Sequence, residues 1–257
     1  MNRRPRPYQG RALPTELPRR HIKAASCLAF LLLKVNEYAL TRLARQLFFF
    51  LFFIELFSYA KRIKNMSEQI TDTCTNITPV FAKIEAAQLA KYKLSQNLCG
   101  NCPAYNKRWA CPPFDNDIFI LFQKKYANIV AIKFEPIQKN FTQKEITDSA
   151  RKYFDNIFYS IESSTKNSIL LLAGSCICKY SQKCPKIKNK PCAFPTKMRY
   201  SLEALNFDVV KICKQILNFE ILWAKDKKHP PYYTLVYCLL TNDDFIDENF
   251  LRSKLNL

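Results

Sequence analysis

Two tight groups of cysteine, Cys99-x2-Cys102-x8-Cys111-Pro112-Pro113 and Cys176-x-Cys178-x5-Cys184-x7-Cys192, constrain the fold of this chain more than any other feature. Whatever scaffold carries them must present seven thiols on two short stretches, and sulfurs so spaced converge on metal more readily than on anything else. Thiolate is a soft ligand that selects zinc or iron-sulfur clusters over magnesium or calcium. The C-x2-C step lets two sulfurs reach one ion, and Pro112-Pro113 removes two backbone donors while fixing the exit of the chain from Cys111. Cysteine followed by proline recurs in bacterial ferredoxin loops and again here at Cys184-Pro185, which tilts the choice toward an iron-sulfur cluster of the 4Fe-4S type, with zinc as the alternative. Seven thiols exceed one tetrahedral site and fall one short of two. The economical arrangements are one cluster on the second group, or three plus four with an outside ligand. An open coordination position would be a place for substrate; a closed site would staple two loops to the fold.

The chain has 257 residues, 48% of them hydrophobic, which is ample for a buried core. Eleven cysteines is an odd number and the grouping is tight, so a reducing cytoplasm with metal on the thiols is expected rather than a disulfide framework. The formal charge of +19 is uneven: residues 1–65 carry 13 Lys/Arg against 3 Asp/Glu, and residues 66–257 carry 27 against 18. The first stretch also holds an Arg/Pro-rich head and two apolar runs, residues 27–33 and 47–57. The longer run contains Glu55 and is short of the roughly 18–20 apolar residues that span a bilayer, so stable membrane insertion is not expected. As a signal peptide it has too long a basic lead-in. The preferred reading is that residues 1–65 are a non-native or processed extension, with translation starting at Met66, and that residues 66–257 form the cysteine-rich domain.

Within residues 66–257, Thr78 and Pro79 suggest a helix running to about Lys93, since Val80, Phe81, Ile84, Ala87 and Leu94 recur at near-helical spacing. A short helix is expected over residues 115–126 and a strand over 129–134, ended by Pro136. Thr142 and Glu145 form a capping box ahead of a long helix to about Ser163, and residues 168–173 read as a buried strand. The second cysteine group follows that strand directly, in a loop at its carboxyl end. Residues 200–217 read as helical with a break near Asn206, and residues 219–224 and 233–240 as an antiparallel pair. The expected fold is α/β (α+β), one compact domain with a mixed four-stranded sheet, helices packed on it and two cysteine-rich metal-binding loops.

The absences narrow the function. With glycine only at positions 10, 100 and 174, neither a GxGxxG dinucleotide loop nor a Walker phosphate loop can be built. His229 is the one histidine after His21, which argues against Cys/His catalysis and HExxH zinc chemistry; in its loop it reads as a solvated residue. Lys183, Lys186, Lys188, Lys190, Lys197 and Arg199 fringe the second group, a pattern that is usually a solvated face. Beside a site such cations would attract an anionic substrate or an acidic redox partner, with nucleic acid the less favoured partner. Cys213 and Cys238 lie in apolar series and read as packing residues; Cys74, in a polar segment, is expected to resemble them, though as the nearest spare thiol it is the best candidate for an eighth ligand.

The segments CGNCPAYNKRWACPPF and LLAGSCICKYSQKCPKIKNKPCAFPTKMRYSLEALNFDVVK together resemble the predicted metal-binding family known as domain of unknown function 2284, over about residues 85–240. The resemblance implies Cys99, Cys102, Cys111, Cys176, Cys178, Cys184 and Cys192 as ligands and matches Pro112, Pro113, Pro195, Ser201 and Glu203 as flanking positions. It implies no particular reaction, so whether the chain is an enzyme stays open. The spacing after Cys176 departs from the family's usual C-x2-C-x2-C, and Asn106 stands where glycine is usual, a place asparagine can fill because it tolerates left-handed angles. The reading is a metal-binding protein with a redox or cofactor-related role; the alternative is a zinc-stapled interaction module that binds nucleic acid or protein through the basic fringe.

Overall fold

The structure, a computed structural model, describes residues 74–114, 118, 123–137, 141–174, 176, 184–224, 229–243 and 246–255. Cys178, Lys183, residues 1–65 and most of the helix expected over 115–126 lie outside the described residues. Four strands, β1 (Cys74–Glu85), β2 (Tyr126–Pro136), β3 (Ile169–Leu171) and β4 (Tyr233–Thr241), form one sheet in the order β1-β2-β4-β3. Helices α1 (Gln143–Ser164), α2 (Val209–Gln215) and α3 (Glu248–Leu255) pack with it into an α+β fold.

Every neighbouring pair of strands is antiparallel, where a mixed sheet was expected. The near-continuous apolar runs of β2 and β4 arise because both faces of the sheet are covered, a pattern more familiar from parallel sheets. Val130, Ile132, Phe134, Tyr237 and Leu239 pack with Ile146, Phe154 and Phe158 of α1 and Leu251 of α3. On the opposite face Ala127, Ile129, Ala131, Val236, Cys238 and Leu240 pack with Leu202, Leu205, Phe207, Ile212 and Leu217.

The region from Thr78 to Glu85 is strand, not helix. Val80, Ala82 and Ile84 lean on one core and Ile77 and Phe81 on the other, a period of two that the adjacent apolar pair Val80-Phe81 disguises. Pro79 is tolerated because β1 lies at the sheet edge, and the register slips between Thr75 and Thr78. Residues 219–224 form no strand; β4 pairs instead with β2 and β3. Only the second half of residues 200–217 is α-helical: Asn206 takes φ 65° and Asp208 caps α2, accepting from the Lys211 amide at 2.9 Å.

Helix α1 begins as expected. Thr142 Oγ1 accepts from the Glu145 amide at 3.3 Å, and Glu145 Oε2 accepts from the Thr142 amide at 2.8 Å. Its buried stripe carries charges among the apolar residues. Arg151 pairs with Asp155 at 3.1 Å, and Asp155 also accepts from Tyr237 Oη at 2.8 Å. Glu162 holds Arg199, whose Nε and Nη2 both donate to it at 2.8–2.9 Å, and accepts from the Leu170 amide at 2.8 Å. One carboxylate thus ties α1, β3 and the segment after the second cysteine group together. Among the described residues no helix is long and apolar enough to cross a membrane.

Candidate metal centre

The first cysteine group lies on a compact run of turns after β1. A 3-10 turn spans Leu98–Asn101, the Cys102 amide donates to Cys99 O at 2.9 Å, and the Cys111 amide donates to Arg108 O at 3.1 Å. Asn106 takes φ 53° and its amide donates to Pro112 O at 2.8 Å, closing the loop between Cys102 and Cys111. The second group starts where β3 ends. Leu172 donates to Tyr200 O at 2.8 Å, and Cys176 is buried against Ala110, Met198 and Tyr200. Cys184 is buried and precedes the 3-10 turn Pro185–Lys188; Asn189 closes that turn at φ 51°.

Side chains stitch the two groups together. Trp109 Nε1 donates to Lys190 O at 3.0 Å, Lys186 Nζ donates to Pro113 O at 3.3 Å, and the Lys186 ammonium sits 5.4 Å from the Trp109 ring centre. Phe114 meets Tyr200 edge to face at 5.1 Å, and Cys99 Sγ donates to Glu203 O at 3.4 Å.

The thiols sense one another. Burial pushes Cys111 up to about 11; Arg108 opposes the rise, and the charges of Cys102, Cys99 and Cys176 reinforce it. Burial, Cys102 and Glu203 raise Cys99 likewise. The charges that act on Cys111 come from both groups, Cys176 from the second and the others from the first. The donor chemistry suits a soft metal, which would displace the thiol protons. The placement does not complete a site: among the described residues no set of three or more Cys, His, Asp or Glu side chains is arranged to hold a metal ion. Cys184 and Cys192 flank the turn that bonds to the first group, and Cys178 lies outside the described residues.

Several residues change meaning. Cys213 and Cys238 are fully buried in the core on the α2 face, as their apolar settings suggested. Cys74 is buried in the opposite core, among β2 and α1 side chains, a setting like that of Cys213 and Cys238, as expected. Arg199 belongs to the buried Glu162 pair and not to a solvated fringe; Lys188, Lys190 and Lys197 are exposed. His229 is half-buried and its Nδ1 hydrogen-bonds Tyr233 Oη, so it is not simply a solvated loop residue.

A cavity of about 700 Å³ adjoins the first group, lined by Cys99, Cys102, Leu98, Glu203, Val210 and Trp223 among others. Glu203 is exposed on the cavity wall although protein packs closely around it; that packing raises the carboxyl, against hydrogen bonds from its own amide and the Ser201 hydroxyl and the charge of Arg151. Sequence reasoning noted Glu203 only as a flanking position and missed Glu162. The signal for Glu162 was available, since it continues the i+4 series Ile146, Ala150, Phe154, Phe158 as its one charged member.

No curated protein and no solved structure matches the chain. Residues 56–240 match a family described as predicted metal-binding protein, and the match spans both cysteine groups, the whole of strands β1 to β3 and nearly all of β4, so the chain belongs to that family, DUF2284.

Proposed function

We propose that the two cysteine groups hold an iron-sulfur cluster, and that the protein serves a redox or cofactor-related role in a reducing cytoplasm. The observation that carries this reading is the joining of the two motifs: Trp109 Nε1 donates to Lys190 O, Lys186 Nζ donates to Pro113 O, and Cys176 packs on Ala110 beside Cys111. Seven motif cysteines and the absence of histidine from both motifs favour cluster chemistry over a zinc site built on imidazole. When bound, a cluster would supply one-electron transfer or an iron open to ligands.

The test is the colour and composition of protein purified without oxygen. A brown protein with sulfur-to-iron charge-transfer absorption, and iron and sulfide in similar amounts, is the expected result. A colourless protein carrying zinc would favour the second reading, an interaction module stapled by metal. The exposed Lys188, Lys190 and Lys197 beside the second group are the observation for that reading, since clustered cations attract acidic partners.

A further inference from the structure

The cavity beside Cys99 and Cys102 has the features of a ligand pocket rather than a packing gap. Its volume of about 700 Å³ falls within the usual range for small-molecule sites. Three of its lining residues, Leu98, Val210 and Trp223, are 60%, 42% and 69% exposed, so three large apolar side chains of one cavity lie open to solvent. Scattered exposed apolar residues need no explanation, but a group of them around a cavity does.

The cavity also has a structural origin. Strand β3 pairs with β4 only at Cys238, Leu239 and Leu240, whereas Tyr233, Thr234, Leu235 and Val236 of β4 line the cavity. The short strand leaves this space at the sheet edge, and residues 221–224, which form no strand, line it too.

The polar groups in the lining differ in how committed they are. Asp208 caps α2, and Lys144 pairs with Asp148 at 3.0 Å on the surface. Glu203 accepts from its own amide and from Ser201, and a carboxylate has further acceptor sites. A ligand amine beside it would find an acceptor and an opposite charge, with the Trp223 and Tyr233 rings lining the same cavity for an apolar or aromatic body.

We propose that this pocket binds an organic amine with an apolar, aromatic-sized body, its amino group on Glu203 and its body against Trp223, and that this amine is the substrate class of the adjoining metal centre. The last clause rests on the metal-binding reading; the pocket itself does not.

The test is equilibrium dialysis of the full chain, with metal content determined on the same sample, against 2-phenylethylamine, 2-phenylethanol and 3-phenylpropionate. The amine should bind most tightly and the acid most weakly. Glu203→Gln should weaken the amine about ten-fold, the scale of one charge-assisted hydrogen bond, while leaving the alcohol nearly unchanged. Trp223→Ala, at an exposed position, should weaken the amine and the alcohol alike. No saturable amine binding by metal-loaded protein, equal affinity for amine and acid, or an equal loss for amine and alcohol in Glu203→Gln would each overturn the proposal. Amine binding by a protein that never takes up metal would keep the pocket and overturn the metal reading and the link between them.

Discussion

At the scale of residues, position in the fold separates two kinds of cysteine. Cys213 and Cys238 are buried hydrophobes; Cys99, Cys102 and Cys111 lie on the turns of the first motif, and Cys176 of the second packs on Ala110 between them. Cys111→Ala should lower bound metal, whereas Cys213→Ala and Cys238→Ala should leave it unchanged, and metal stoichiometry after oxygen-free purification reads this directly. Equal stoichiometry in all three would show the ligand set to be misassigned. Burial, reinforced by Glu203, pushes the Cys213 thiol from its ordinary 9.0 up to about 12. The folded chain holds that proton more tightly than the unfolded chain, so the contribution is complete below pH 9.0 and is lost as pH rises toward 12. Metal-free protein should therefore melt progressively lower across that range, and Cys213→Ala should fall less steeply. An unchanged slope in the variant would contradict the burial argument.

At the scale of elements, helix α1 was legible because its start carries a capping box and its stripe a clear period, and both are formed. Thr142→Ala should destabilise the protein by about 1 kcal/mol in a denaturant titration. Glu162→Gln removes one partner of a buried pair and should cost roughly 3–5 kcal/mol by the same measurement, far beyond the cap. Strand β1 was misread because Pro79 after Thr78 imitates a helix start, and only the pairing with β2 along an edge reveals the alternation. Residues 219–224 look like a strand in composition, yet β2 and β3 already occupy both sides of β4 along part of its length. Such competition between partners is a tertiary fact that no local pattern records. The candidate site was legible in its residue types and in the left-handed Asn106, but not in its stitching. Trp109 and Lys190 are far apart in sequence and meet only in the fold.

At the scale of the whole molecule, all described elements lie between Cys74 and Leu255, and both cores are built from them. A chain shortened to residues 66–257 should keep its far-ultraviolet circular dichroism and its metal content; loss of either would show that the core depends on the preceding residues. The segment after the second cysteine group is held to the scaffold by Arg199 on Glu162, a pair that involves no cysteine. Stripping the metal with a chelator should accordingly leave the unfolding transition cooperative, unlike small domains that exist only around their metal. That anchor has a consequence for the protein's life in a cell. If the scaffold stands without metal, as the chelation experiment tests, scarcity in a cell would change how much of the pool carries metal while leaving the size of the pool alone, and resupply would reload it without new synthesis.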